Sequence, residues 1–381
     1  MRTAPTPSAI EPAPALARDL ADALRGWYFT HRRRLPWRED PTPYRVWVSE
    51  IMLQQTQVAT VIPYFERFLE AFPDVHALAA AAEDAVLARW SGLGYYRRAR
   101  HLHAAAKEVV ARFGGAIPGT VDGLLTLPGV GRYTAGAVAS IAFGQRAPVL
   151  DGNVARVLAR VFAVEEAADS HPGLKRLWAL AEALVPTDPS SHNQALMELG
   201  ALVCSPRAPD CARCPLADRC AAHGLGRAED FPRTDKKVVV KDVHAVAALV
   251  RRHAGSDEVL LAKRPRDVLL GGLWELPGAE LASPRAARKK ALSAALSERA
   301  GLDATIGEQV ATVEHQFTHR RLSLEIFLAS APHPPGPPTA LAFYERLTWT
   351  SPAAADTDDS ATPLSTLTRK VFRAVRGQGI A

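Results

Sequence analysis

Leu202-Val-Cys204-Ser-Pro-Arg-Ala-Pro-Asp-Cys211-Ala-Arg-Cys214-Pro-Leu-Ala-Asp-Arg-Cys220 holds every cysteine of the 381-residue chain. The spacing Cys-x6-Cys-x2-Cys-x5-Cys wraps four soft thiolate donors around one compact object. Structural zinc more often sits between two close cysteine pairs separated by a longer loop. Here a single C-x2-C pair has one cysteine on either side, which predicts a [4Fe–4S] cluster held by Cys204, Cys211, Cys214 and Cys220. No apolar run reaches the length of a membrane span, and the Pro/Ala/Thr-rich start reads as a disordered segment, not as a targeting signal. A cytoplasmic chain of this kind keeps its thiols reduced, so clustered cysteines read as metal ligands and not as disulfides.

Working outward from the cysteines, the chain is long enough for more than one core, with 48% apolar residues. A net charge of +6 leans toward a polyanionic partner. Residues 1–15 read as disordered. From about Leu16 to residue 230 the pattern is helical, as in Val75, Leu78, Ala79, Ala82, Val86 and Leu87, and prolines divide it into helices of ordinary length. The charged stretch Phe231–Lys241 reads as an exposed linker. Beyond it, Val243–Val250, Glu258–Ala262 and Leu322–Leu328 have strand character and Arg285–Arg299 that of a helix. The expected fold is therefore multi-domain: an all-α domain with the cysteine loop, followed by a smaller α+β domain over 242–375.

Leu127-Pro-Gly-Val-Gly131-Arg-Tyr-Thr-Ala-Gly136 has the form of a helix–hairpin–helix turn. Gly129 and Gly131 permit a tight turn that aims backbone N–H groups outward at a helix start, a site for a DNA phosphate. Val149-Leu-Asp151-Gly-Asn-Val154 supplies a carboxylate that either caps a helix or takes part in chemistry. A second carboxyl group, Glu50, lies among Trp47, Val48, Ile51 and Met52, neighbours that would desolvate it and raise its pKa. Taken alone, Glu50 also fits an ordinary surface position. Three glutamines follow it, and Tyr95-Tyr96 follows Gly92-Leu-Gly94, offering hydrogen-bonding and stacking groups for bases.

Together, LPWR (35–38), SEIMLQQTQV (49–58), GLGYYRRAR (92–100), LPGVGRYTAGA (127–137), LDGNV (150–154) and the cysteine loop resemble an adenine DNA glycosylase of the MutY type, over roughly residues 16–230. The resemblance implies a helix–hairpin–helix glycosylase that acts as a monomer on double-stranded DNA carrying A:8-oxoguanine or A:G mispairs. It assigns Glu50 as the acid that protonates adenine and Asp151 as the anion that stabilises the oxocarbenium-like sugar. Tyr133 and Asn153 support the site. Arg33, Trp37 and Gln194 fall where the flipped adenine is held, and Leu53, Gln54, Gln55 and Tyr95 where the base stack is entered. Arg207, Arg213 and Arg219, interleaved with the cysteines, are expected against phosphate. Tyr133 stands where the endonuclease III type has a Schiff-base lysine, so a monofunctional enzyme is expected. An endonuclease III-like pyrimidine glycosylase with lyase activity, or a non-catalytic damage-binding protein, remain the alternatives.

The C-terminal part resembles a Nudix domain in Leu260-Leu-Ala-Lys-Arg-Pro265 and Gly271-Gly-Leu-Trp-Glu-Leu-Pro-Gly278. The following stretch, 290–301, holds a single glutamate where a Nudix hydrolase needs several to bind Mg²⁺. Diphosphate hydrolysis is therefore not expected. The resemblance assigns lesion reading to Phe317, Thr318 and His319, with threonine where the family has serine.

Overall fold

The computed structural model describes residues 12–235, 239–253, 255–283, 285–331, 343–357, 360 and 362–376. The chain forms two compact units, one of residues 1–66, 74–76 and 104–237, the other of residues 67–73, 77–103 and 238–381. Tyr95 thus falls in the unit that contains the C-terminal sheets.

The helical part runs α1 (Pro14–His31), α2 (Pro36–Glu39), α3 (Pro43–Leu53), α4 (Val58–Ala71), α5 (Val75–Ala80), α6 (Glu83–Trp90), α7 (Arg97–Phe113) and α8 (Val121–Leu125). It continues with α9 (Arg132–Phe143), α10 (Gly152–Val161), α11 (His171–Leu184) and α12 (Pro189–Leu202). Helix starts follow local chemistry. Thr42, Asp151, Ser170 and Asp188 each accept a backbone N–H with their side chains at an N-cap, and Pro43, Pro172 and Pro189 sit in the first turn.

Leu20, Leu24 and Tyr28 recur every four residues on α1 and bury one stripe against Val157 and Leu158 of α10, Leu177 and Leu180 of α11, and Leu196 and Leu199 of α12. Each such aliphatic side chain contributes roughly 1.5–3 kcal/mol of burial. Two close approaches bring the functional helices together. A Cβ at Gly136 of α9 would lie 2.2 Å from the Pro148 carbonyl oxygen, and one at Gly200 of α12 would lie 2.6 Å from the Asn153 Cβ.

Two boundaries differ from the sequence expectation. α1 already starts at Pro14, because a proline at N1 loses no hydrogen bond there, while residues 1–11 lie outside the described residues. The stretch expected as an exposed linker begins inside the helical core. Phe231 is 1% exposed, its carbonyl accepts from Arg160 Nε at 2.9 Å, and the Arg233 carbonyl accepts from the Ala168 N–H.

In the second unit, β1 (Lys241–Val250), β2 (Val259–Lys263), β3 (Trp274–Glu275), β4 (Gly278–Glu280), β5 (Thr305–Gln316), β6 (Arg320–Ser330) and β7 (Arg346–Thr350) form sheets of order β4-β1-β6-β5 and β3-β2-β7. β1 and β6 are parallel, and the other pairings are antiparallel. β1 is buried on both faces, which explains its unbroken apolar run. Val243, Ala245, Ala247 and Leu249 belong to one core with Leu367, Val371 and Phe372, whereas Val246, Ala248 and Val250 belong to another with Leu292 and Leu296. The helix Arg288–Ala300 matches the expectation within a few residues.

The contact at Gly200 generates a stability prediction. Gly200→Ala should destabilise the protein by ~1–3 kcal/mol through overpacking against Asn153. A thermal midpoint equal to the parent's would show that α10 and α12 tolerate the methyl group.

Candidate active site

One cavity of about 1130 Å³ opens in the helical unit where α1, α2, α3, α9, α10 and α12 converge. Glu50 lies in its wall, 5% exposed, on a helix whose residues from Val46 to Met52 are all buried. A helix apolar on all sides leaves this carboxyl group without water, and burial pushes its pKa up to about 7. The Tyr133 hydroxyl opposes the shift by donating to Glu50 Oε2 at 2.5 Å. The Asp151 charge adds to it, and the Arg38 charge opposes it.

Asp151 caps α10, the first of the two readings that the sequence offers for it. Its Oδ1 accepts the Val154 N–H at 2.7 Å while Oδ2 accepts from Asn153 Nδ2 at 3.0 Å. Burial raises its pKa too, but these donors and the Arg156 guanidinium favour the charged form, as does the positive end of α10. Of the two carboxyl groups, Glu50 is the one built to carry a proton near neutrality.

The cavity wall includes Arg33, Trp37, Leu53, Gln54, Gln55, Gly129, Gly131, Tyr133, Asn153 and Gln194, so most residues expected in the site do meet there. Gln54 Nε2 donates to Thr134 Oγ1 at 3.1 Å, and the Tyr28 hydroxyl donates to Gln194 Oε1 at 3.0 Å. Gln55 has φ of +56°, a left-handed conformation that is uncommon for glutamine, and Gly129 has φ of +74° in the hairpin. Glu198 and Arg38 escape the sequence reading. Glu198 lies one helical turn from Gln194, so its face was legible, but its partners are not local.

The cysteine loop lies in the same unit. Cys204, Cys211, Cys214 and Cys220 line a small cavity with Val157, Leu199 and Leu216. Arg160, 2% exposed, donates to Cys204 Sγ at 3.3 Å and to the carbonyls of Ser205 and Pro206. A chain of hydrogen bonds leads from Asp151 through Asn153 to Arg156, whose Nε donates to the Cys204 carbonyl at 2.7 Å. Two of the three interleaved arginines have acidic neighbours in the protein itself. Arg219 is bound to Asp19 and Arg213 lies 3.5 Å from Asp210, while the exposed Arg207 has no acidic partner among the described residues.

In the other unit, Phe317, Thr318 and His319 form the turn between β5 and β6. The Phe317 ring meets His315 edge-on at 4.6 Å, Thr318 Oγ1 lies 2.7 Å from the Tyr95 hydroxyl, and the His319 carbonyl accepts the Lys241 N–H. Tyr95 is 46% exposed and has φ of +48°. Glu275 is partly buried and held by Arg264 at 2.6 Å, while Glu298 is exposed on its helix. No group of three His, Cys, Asp or Glu side chains among the described residues is arranged to hold a single metal ion. Nor is any helix among them long and apolar enough to cross a membrane.

Residues 48–182 match the family of HhH-GPD superfamily base excision DNA repair proteins, and residues 246–374 match the NUDIX domain family. The chain is 30% identical to a thermostable thymine-DNA glycosylase of known structure, which covers 55% of it with a TM-score of 0.51; the match spans 98% of that protein. It is 42% identical to the adenine DNA glycosylase of Mycolicibacterium smegmatis over 63% of this chain and 77% of that one. With the human adenine DNA glycosylase the identity is 38%, over 95% of this chain and 76% of the human protein. A match of that extent, through both the helical region and the Nudix domain, shows that the chain belongs to the adenine DNA glycosylase family.

Proposed function

We propose that the protein removes adenine from A:8-oxoguanine and A:G mispairs in double-stranded DNA as a monofunctional glycosylase. The observation that carries this reading is the pairing of a buried, proton-holding Glu50 with a capped Asp151 in one cavity, with the Tyr133 hydroxyl on Glu50. Adenine must leave the duplex to reach that cavity. Glu50 gives its proton to a ring nitrogen of the base, and the bond to the sugar breaks with its electron pair leaving on adenine. The Asp151 carboxylate offsets the positive charge that develops on the sugar. Water then adds to the anomeric carbon and releases a proton, which restores Glu50. Tyr133 has no amine to form a Schiff base, so the product is an abasic site on an intact strand.

Trp37, Arg33 and Gln194 bound the pocket for the base. The hairpin at Gly129 and Gly131 and the exposed Arg207 serve the phosphate backbone. Leu53, Gln54, Gln55 and Tyr95 enter the stack, and the left-handed backbone at Gln55 and Tyr95 is the kind of strain that function retains. Phe317, Thr318 and His319 read 8-oxoguanine. The four thiols line one small cavity, and such a soft donor set with the Cys-x6-Cys-x2-Cys-x5-Cys spacing suits a [4Fe–4S] cluster better than zinc. That cluster would supply a rigid cross-link for residues 204–220. We infer a monomer acting on the chromosome in the cytoplasm.

Glu50→Gln should lower single-turnover excision by at least about a hundredfold with DNA binding retained. Undiminished excision would remove Glu50 from the chemistry. In the parent protein the rate should fall as pH rises through about 7, because the acid form of Glu50 is consumed. It should fall again at low pH as Asp151 is neutralised. Tyr133→Phe removes a bond that favours the carboxylate, so the alkaline limb should move to higher pH. Thr318→Ala should cut excision opposite 8-oxoguanine roughly two- to tenfold, the worth of one hydrogen bond, and leave A:G excision nearly unchanged. Equal losses on both substrates would deny the loop a lesion-reading role. Purified protein should contain iron and acid-labile sulfide in equal amounts; stoichiometric zinc would replace the cluster assignment.

A further inference from the structure

Glu198 is the most heavily engaged carboxylate in the cavity wall, and the chemistry above does not use it. It sits on α12, 1% exposed. Its Oε1 accepts from the Arg33 backbone N–H at 2.8 Å and from Arg33 Nε at 2.9 Å. Its Oε2 accepts from Arg33 Nη2 at 2.8 Å and Arg38 Nη2 at 3.0 Å. Arg38 Nη1 in turn donates to the Arg33 carbonyl, and its guanidinium lies 5.6 Å from the centre of the Tyr28 ring. One carboxylate thus immobilises two guanidinium groups at the end of the pocket where the base is to be held.

We propose that Glu198 is a positioning residue that locks Arg33 and Arg38 and cancels part of their charge, which would otherwise draw the proton from Glu50. The inference rests on the reading of Glu50 as the acid. The charged and titratable groups facing this cavity are Tyr28, Arg32 and Arg33 from α1 and the segment after it, and Arg38 from α2. α9 adds Arg132 and Tyr133, α10 and its cap add Asp151 and Arg156, and α12 adds Glu198. Arg38 is the cation that acts on Glu50 against its burial. Glu198 holds its negative charge over the working range, since the two arginines keep it down to about 2. It therefore offsets Arg38 at every pH at which the enzyme would turn over.

Glu198→Gln keeps the shape but removes that charge, and its amide N–H₂ must face a guanidinium at one end. The sign follows directly. Uncompensated arginines favour ionised Glu50, so the alkaline limb of the excision rate should move down by about one pH unit. The experiment is single-turnover excision of adenine against pH, on folded protein checked by circular dichroism, for the parent, Glu198→Gln, Arg38→Gln and the double variant. The expected result is a lowered limb in Glu198→Gln that returns toward the parent's in the double variant. A limb that stays in place in Glu198→Gln, whatever its absolute rate, overturns the proposal. If Glu198→Gln does not fold, Arg38→Gln alone must move the limb to higher pH, and an unmoved limb there also overturns it. Glu50→Gln in the same series separates the two readings: if it excises adenine like the parent, the acid assignment falls first, whereas an inactive Glu50→Gln beside an unmoved limb sinks the Glu198 role alone.

Discussion

A carboxyl group placed in the middle of a helix that is buried on every side must be protonated or given donors, and Glu50 lives between those two states. Water stabilises a carboxylate far better than the Trp47, Ile51 and Met52 side chains can. That single desolvation sets what the surrounding elements have to supply. α9 brings a hydroxyl that tolerates either state of the carboxyl group. α10 begins at a second carboxylate whose charge is held by a helix end and by Asn153, so the two acids are driven apart in their protonation. Neither group would be useful alone, since an acid without a nearby anion leaves the sugar cation unsupported.

The convergence of these groups depends on small residues at helix contacts. Gly136 lets α9 run against the Pro148 carbonyl, immediately before the segment that ends in Asp151. Gly200 lets α12 touch Asn153, so the residue that steadies Asp151 is itself pinned by packing. The same helix turn passes its Gly200 carbonyl to Arg156, and Arg156 reaches the Cys204 carbonyl. The cysteine loop and Asp151 therefore share one hydrogen-bonded segment. A cluster bound to the loop would stiffen that segment at one end.

The C-terminal unit shows why a fold alone does not fix a chemistry. Its strand β1 is covered on both faces, and helical side chains complete both cores. Yet Glu275 is tied to Arg264 and the helix Arg288–Ala300 offers Glu298 alone, so the dense carboxylate set that Mg²⁺ needs is not what this sequence encodes there. What remains exposed and polar is the β5–β6 turn, where Thr318 keeps the hydroxyl that serine would supply. Its bond to Tyr95 ties the turn to a tyrosine in a strained backbone conformation.

The limits of reading this chain from sequence follow from the range of each interaction. Features governed by neighbours within a few residues were legible: the cap at Asp151, the glycine turn at 129–131, the β1 run and the cysteine spacing all carry their cause locally. Glu50 was half legible. Its apolar neighbours suggested desolvation, but only the arrival of α9 on α3 decides whether such a residue faces water. Phe231 misled, because proline and charge nearby look like linker, while its ring belongs to the helical core and its carbonyl is bound by Arg160, both far away along the chain. Glu198 was invisible for the same reason, its partners lying about 160 positions earlier. Charge pairs of that span leave no periodicity and no spacing in the sequence. They have to be found by asking which buried charge lacks a local partner, and in this fold that question leads from Glu198 through Arg38 back to Glu50.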